Sequence, residues 1–200
     1  DIYYKSAPYF RRVFEIGKSV KSARAYITVA GLYELYVNGC RVGNHILDPM
    51  YTRYDRRNLY VTYDVTSQLQ RGKNVMGVLL GNGWYNHQSL AVWNFHNAPW
   101  RNRPTFCLDL KIVYEDGSTE VVSSDKDWKT STGPLISNSI YTGVHYDARQ
   151  EQKGWSTIEF NDSGWEDVIY RSAPSQKIVA QQMHPIRGVD TVNTVKLNRV

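Results

Sequence analysis

Hydrophobic and polar residues alternate along much of this chain, which is the pattern of strands with one buried face. Residues 75–80 are instead apolar throughout, which predicts a strand buried on both faces. Residues 64–74 predict one short helical turn that ends near Gly72. The strands predicted from alternation are 9–16, 25–30, 32–37, 59–65, 106–114 and 119–122.

Two dipeptides between these segments predict tight hairpins. Asn38-Gly39 and Asp116-Gly117 each follow one alternating run and precede another, and these residue types tolerate the positive φ of such turns. Turn signals recur about every eight to twelve residues, and almost no amphipathic helix is visible. The chain is therefore expected to be all-β, an antiparallel β-sandwich or jelly roll.

The 200 residues are expected to hold one sandwich domain over residues 1–170. Residues 172–175 (Ser-Ala-Pro-Ser) resemble a boundary, and the Val/Ile alternation after residue 178 has no evident partner strand. Residues 171–200 are therefore predicted to be a linker and the start of a next β module. Trp155, Asp162 and Trp165 are expected to form a tight corner that closes the edge of the sandwich.

Charge and cysteine content exclude several functions. The net charge is +5, but Lys and Arg are scattered among Asp and Glu, so a nucleic-acid partner is not expected. Cys40 and Cys107 match no metal or redox spacing and are expected to be ordinary buried thiols, with a single disulfide between them as the alternative. No apolar run approaches the length of a membrane span, so no membrane partner is expected.

Residues 82–104 interrupt the strand pattern for more than twenty positions. Long loops inside a compact domain are commonly functional or disordered, and three tryptophans argue against disorder. Aromatic rings pack against the C–H face of a sugar, while amide side chains hydrogen-bond its hydroxyls. The candidate ring platforms are Trp84, Tyr85, Trp93 and Trp100, and the candidate hydroxyl partners are Asn82, Asn86 and Asn97. The alternative is that these rings simply pack the end of the sandwich.

Eight short segments occur in a characteristic order between residues 33 and 165. They are YELYVNGCRVG (33–43), LDP (47–49), YTRY (51–54), YDVT (63–66), GKNVMGVLLGNGWY (72–85), YDAR (146–149), GWS (154–156) and FNDSGW (160–165). In this order they resemble the N-terminal module of bacterial α-L-rhamnosidases of glycoside hydrolase family 78. The alternative is a structural sandwich from another glycosidase, such as a β-galactosidase-like enzyme, which shares the YVNG hairpin but not LLGNGWY.

The resemblance implies a galactose-binding-like jelly roll that precedes a separate (α/α)6 catalytic barrel in the same polypeptide. It implies that the barrel carries the acids that hydrolyse terminal α-L-rhamnosyl bonds, so no catalytic residue is assigned to this chain. It also implies a periplasmic or extracellular location. Two roles remain open: a module that binds a rhamnose-containing carbohydrate, and a structural domain that packs on the barrel.

The resemblance also raises the question of calcium, because some modules of this type bind rhamnose through that ion. Asp55 is the candidate ligand, although it is followed by Arg56 and Arg57, whose charges oppose a cation. Calcium takes six to eight oxygen ligands. The alternative is a turn acid paired to an arginine, and no other cofactor is expected.

Overall fold

The computed structural model describes residues 5–90 and 92–196. Strands dominate the described part of the chain, and its helical segments are short 3₁₀ turns. The strands are β1 (Pro8–Ile16), β2 (Val20–Ala30), β3 (Leu32–Val37), β4 (Cys40–Arg41), β5 (His45–Ile46), β6 (Asn58–Asp64), β7 (Gly72–Gly81), β8 (Thr105–Tyr114), β9 (Thr119–Ser123), β10 (Lys129–Thr132), β11 (Leu135–Ser139), β12 (Gly143–Tyr146), β13 (Glu166–Asp167), β14 (Ile178–Ala180) and β15 (Ile186–Arg187). The 3₁₀ segments are Thr66–Gln68, Val92–Asn97 and Ala148–Gln150.

Two main sheets form the sandwich. The first has six strands in the order β13-β10-β1-β7-β3-β4, and the second has five in the order β14-β6-β2-β8-β9. Two small two-stranded sheets, β11-β12 and β15-β5, lie beside them. Among the strands of the described residues, every pairing is antiparallel except that of β14 with β6. The predicted all-β sandwich is therefore confirmed.

A single large cluster of buried side chains lies between the two sheets. The six-stranded sheet contributes residues such as Leu35 and Val78, and the five-stranded sheet contributes Ile27, Leu110 and Ile112. All five are at most 1% exposed. Burial of apolar area on this scale is the main force that holds the two sheets together.

Strand β7 is buried on both faces, as its sequence predicts. Residues 74–78 are all buried in succession. One face meets the core, and the other is covered where Trp155 lies against Gly77. The Trp155 ring also stacks on Tyr9 at 4.4 Å, and Trp165 stacks on Trp155 at 6.4 Å. The predicted corner of Trp155 and Trp165 thus closes the outer face of the six-stranded sheet.

The predicted turns are confirmed. Asn38 and Gly39 have φ values of 49° and 83° and connect β3 to β4, and Gly117 has a φ of 81° between β8 and β9. The Asn38 side chain also accepts a hydrogen bond from the Val75 amide and donates one to the Gln68 carbonyl. The hairpin turn is therefore fastened to the neighbouring strand and to the short helical turn.

Two expectations are wrong. Cys40 and Cys107 are exposed and free rather than buried, because the alternation that turns Leu108 and Leu110 inward turns Cys107 outward. The segment after residue 178 does have a partner: Ile178, Val179 and Ala180 pair with residues 58–60 of β6. The predicted boundary near residue 170 and the next module stay predictions.

None of the helices in the described ranges has the length and apolarity required to cross a membrane.

Candidate functional site

Aromatic side chains from two loops form one connected group, and six of them are called here the aromatic surface. Its members are Tyr51, Tyr54, Trp84, Trp93, Phe95 and Trp100. The first two lie between β5 and β6, and the other four lie between β7 and β8. The predicted candidates Trp84, Trp93 and Trp100 are thus brought together.

Tyr51 joins the two loops. Its ring centroid lies 5.7 Å from that of Phe95, 6.1 Å from Trp84 and 6.3 Å from Trp100. The rings meet edge-on or tilted, which is the favoured arrangement for aromatic pairs because positive ring edges approach negative faces. Tyr51 is 42% exposed, so the joint between the loops faces solvent.

Trp93 projects from the aromatic surface into solvent. It is 76% exposed, and its ring touches Phe95 edge-on at 6.0 Å. Trp93 and the following Asn94 have φ values of 66° and 53°, in the left-handed region that side-chain-bearing residues seldom adopt. Such backbone persists only where the surroundings enforce it, and it clusters at ligand sites.

Trp84 and Trp100 are the half-buried tryptophans of the aromatic surface. The Trp100 indole nitrogen donates a hydrogen bond of 3.4 Å to the Trp84 carbonyl, which links the two ends of the loop. The Trp84 ring stacks on His87 at 5.6 Å. Burial and the charge of Arg101 lower the pKa of His87, which favours the neutral imidazole.

Asn82 and Asn86 lie on either side of Trp84 in the sequence, at the start of the loop between β7 and β8. Both are buried, and the Asn86 amide donates to the Asn82 side-chain oxygen at 3.1 Å. Asn82 also donates to the Asn138 carbonyl at 3.0 Å. Both asparagines line a cavity of about 420 Å³ whose wall includes Phe106. Sugar binding by these two amides stays a prediction.

The remaining candidates lie at opposite extremes of exposure. Tyr85 is 4% exposed and packs edge-on against Tyr54 at 5.1 Å, and its burial raises its pKa. Asn97 is exposed, and its amide contacts the His96 ring at 3.1 Å. Tyr85 is therefore a buried side chain that packs beneath the aromatic surface. Asn97 lies at the exposed rim of that surface.

Tyr51, Tyr54 and Phe95 were not predicted to be site residues. Tyr51 and Tyr54 lie within the YTRY segment, so their aromatic spacing was visible. Their contact with residues of the 82–104 loop depends on how two distant loops meet, and strand patterns carry no information on that.

Asp48 is a buried residue whose hydrogen bonds stabilise the loop between β5 and β6. It is 2% exposed, and His45 contacts its carboxylate at 2.6 Å. Tyr63 donates to the same carboxylate oxygen at 3.3 Å, and Gln181 donates to the other oxygen at 3.3 Å. This network fixes the chain two residues before Met50 and three before Tyr51.

Asp55 does not offer a calcium ion a ready set of ligands. Both of its oxygens accept hydrogen bonds from Arg53, at 3.0 and 3.2 Å, and these bonds lower its pKa. Within the described residues, no group of three or more His, Cys, Asp or Glu side chains is placed to hold a metal. The residues present therefore do not fit calcium as they stand, because that ion needs several free oxygens.

Asp147 and Glu151 are two acids close in sequence, and each is engaged by a different neighbouring side chain. Asp147 forms an ion pair with Arg149 at 2.8 Å, and Glu151 accepts a hydrogen bond from Tyr146. Each carboxylate is therefore engaged by a different partner. Glycoside hydrolysis requires two carboxyl groups that flank the same glycosidic bond.

Ser89 and His87 lie 3.0 Å apart, through the serine oxygen and His87 Nε2. Within the described part of the chain, the other ring nitrogen of His87 has no hydrogen-bond partner. A Ser-His pair without a third group to orient the imidazole does not form a triad.

Comparison with known proteins gives consistent results. Residues 18–190 match the family described as Alpha-L-rhamnosidase N-terminal domain. The chain is 40% identical to an alpha-L-rhamnosidase of Formosa agariphila over 90% of its length and 19% of the relative's. It is 39% identical to one of Streptomyces avermitilis over 85% of its length and 16% of the relative's. The chain thus spans about a fifth of these relatives.

Solved structures agree. An alpha-L-rhamnosidase from Dictyoglumus thermophilum superposes with a TM-score of 0.86 at 42% identity, covering 96% of this chain and 20% of that one. The Streptomyces avermitilis alpha-L-rhamnosidase, complexed with L-rhamnose, gives a TM-score of 0.86 at 36% identity, covering 92% of this chain and 18% of that one.

Proposed function

Because the chain belongs to the family of alpha-L-rhamnosidase N-terminal domains, we propose that it is a non-catalytic module that binds rhamnose-containing carbohydrate on its aromatic surface. In this proposal the module presents the sugar to a catalytic barrel of the same polypeptide, which hydrolyses terminal α-L-rhamnosyl bonds. A location in the periplasm or outside the cell is part of the proposal.

The observation that carries this proposal is the exposure of Trp93. Trp93 is 76% exposed and stands on backbone in the left-handed region, and backbone of that kind clusters at ligand sites. Rhamnose has an apolar C–H face and a methyl group, and both fit an indole ring. Tyr51, 42% exposed, provides a second accessible ring from the other loop.

The surroundings of the rings supply polar partners for the sugar hydroxyls. Asn94 and Asn97 are exposed beside Trp93 on the same irregular segment. Their amides both donate and accept hydrogen bonds, as hydroxyl recognition requires. We assign orientation of the sugar to these rim amides and contact area to the rings.

A second role is favoured by a different surface. Ile169 and Tyr170 are 73% and 71% exposed, and both line the 420 Å³ cavity at the end of the sandwich. Adjacent exposed apolar residues commonly mark an interface. Packing of this edge on the barrel is compatible with sugar binding at the aromatic surface, because the two surfaces use different residues.

Titration of L-rhamnose into the 200-residue chain by isothermal calorimetry tests the binding role. We expect saturable heat for the wild type, strongly reduced heat for Trp93→Ala, and unchanged heat for Tyr170→Ala. Tyr170 is the matched control because it is an aromatic residue of similar exposure outside the aromatic surface. Absence of binding to the wild type would reject the proposal, and binding of D-galactose alone would favour the β-galactosidase-like alternative.

A further inference from the structure

The segment 178–187 is fastened to the loop that carries Tyr51. β14 pairs with β6, where that loop ends, and β15 pairs with β5, where it begins. The side chain of Arg187 donates to Asn44 at 3.1 Å. One stretch of chain therefore holds both ends of a loop more than 120 residues earlier in sequence.

Gln181 makes the central contact between them. Its side-chain oxygen accepts a hydrogen bond from the Met50 amide at 2.9 Å, and its side-chain nitrogen donates to Asp48 at 3.3 Å. Its own amide donates to the Tyr60 carbonyl at 2.9 Å, which fixes the backbone of Gln181 on β6. Gln181 thus connects β6 to the backbone directly before Tyr51. Its three hydrogen bonds are called here the bracket.

The residue held by this bracket determines the shape of the aromatic surface. Tyr51 follows Met50 directly and touches Trp84, Phe95 and Trp100. It is the member of the 45–57 loop with the most ring contacts to the 82–104 loop. A shift of the Met50 backbone therefore changes the angle at which Tyr51 meets the rings of the other loop.

We propose that Gln181 is a positioning residue for the carbohydrate site, and that docking of segment 178–187 and binding of sugar at the aromatic surface favour one another. This inference rests on the proposed function for its ligand. The coupling is reciprocal, because a ligand that prefers the docked arrangement must stabilise docking by the same factor that docking raises its affinity.

The test compares Gln181→Leu with Gln182→Leu. Leucine keeps the approximate size of Gln181 but removes both side-chain hydrogen bonds, while the backbone bond to Tyr60 is retained. Gln182 is exposed, and none of the hydrogen bonds found among the described residues involves its side chain, so it controls for adding a leucine to this segment.

We expect Gln181→Leu to bind L-rhamnose about 5-fold or more weakly than Gln182→Leu. Its near-ultraviolet circular dichroism should also change, because the Tyr51, Trp84 and Trp100 rings shift relative to one another. A merely structural role at the end of the chain would leave that signal intact. Equal affinity and equal spectra for the two variants would overturn the inference.

Amide hydrogen exchange separates the failure of this inference from failure of the proposed function. Even if L-rhamnose does not bind, Gln181→Leu should speed exchange of residues 44–54, and unchanged exchange there would refute the positioning role. If Gln181→Leu does not fold, the wild type still provides a test. The Met50 and Gln181 amides should show one common opening free energy as a single opening unit, and clearly different opening free energies would contradict the bracket.

Discussion

Arg11 and Asp162 form an ion pair between positions 151 residues apart in the sequence. Arg11 is 1% exposed, and Asp162 is 22% exposed. The same guanidinium donates to the Thr157 carbonyl at 2.8 Å, and Lys129 contacts the other oxygen of Asp162 at 2.9 Å. The corner that contains Trp155 and Trp165 is thereby held onto β1 by charge as well as by ring stacking.

Asp162→Ala should destabilise the fold strongly, because it leaves the buried Arg11 charge without its partner. Removing one member of a buried pair costs about 3–5 kcal/mol. Urea unfolding measures the loss, and Glu159→Ala serves as control because Glu159 is a nearby exposed acid. A loss no larger than that of Glu159→Ala would contradict the prediction.

Stability should fall in acid through Asp162. Partial burial of this carboxyl opposes ionisation, but the hydrogen bond from Lys129 and the charges of Arg11 and Lys129 outweigh it and lower its pKa below the ordinary 3.8. A lowered pKa in the folded state gives stability that is complete above 3.8 and is lost as pH falls below it. Urea unfolding at pH 7, 5 and 3 should show a smaller acid loss in Asp162→Ala than in the wild type, and equal losses would contradict this.

Trp93→Ala and Trp100→Ala should separate binding from packing. Trp93→Ala should weaken L-rhamnose binding at least about 5-fold, as loss of an aromatic anchor does, while the free energy of unfolding stays within about 0.5 kcal/mol. Trp100→Ala should cost about 1.5–3 kcal/mol because that ring is half-buried. Calorimetric titration and thermal unfolding measure both effects. A large stability loss in Trp93→Ala would show that its role is packing.

Gly77→Ala should destabilise the sandwich. A Cβ at this position would lie 2.6 Å from Cζ3 of Trp155 and 3.2 Å from Cβ of Ser156, so the indole must move away from β7. Overpacking of this kind costs about 1–3 kcal/mol. Gly17→Ala is the matched control, because a Cβ at that position would have no heavy atom within 4 Å apart from those of its chain neighbours. Equal unfolding midpoints for the two variants would contradict the contact.

Calcium should have little effect on sugar binding. The Asp55 carboxylate is held by Arg53 and lacks companion acids among the described residues. L-rhamnose titrations with added calcium and with a chelator should therefore give the same affinity. A large gain with calcium would mean that Asp55 leaves Arg53 to bind the ion, and Asp55→Asn would then remove the gain.

Strand identity could be predicted from the sequence because each strand has a buried face and alternation reports it directly. The two glycine turns were visible for a similar local reason, since Gly39 and Gly117 need a positive φ. The pairing of β14 with β6 was not visible, because backbone hydrogen bonds join those strands and two of the three β14 residues are exposed. A pattern based on burial misses such an edge strand.

The aromatic surface was predicted only in part for a related reason. Composition identified residues 82–104 as unusual, and it therefore found Trp84, Trp93 and Trp100. The other loop contributes only two rings, and their role depends on three-dimensional proximity to the first. Cys107 shows the reverse error, because residue type suggested burial while its place between inward-facing residues predicted exposure.

The two free thiols lie on different main sheets, Cys40 in β4 and Cys107 in β8. A molecule with one accessible thiol can oxidise only to a covalent dimer, but a molecule with two on separate sheets can link to a neighbour at each. Purified protein left in air, where dissolved oxygen is the oxidant, should therefore form disulfide-linked oligomers larger than a dimer, and replacing either cysteine with serine should stop that growth at the dimer. The same two positions are independent handles for attaching one probe to each layer of the sandwich.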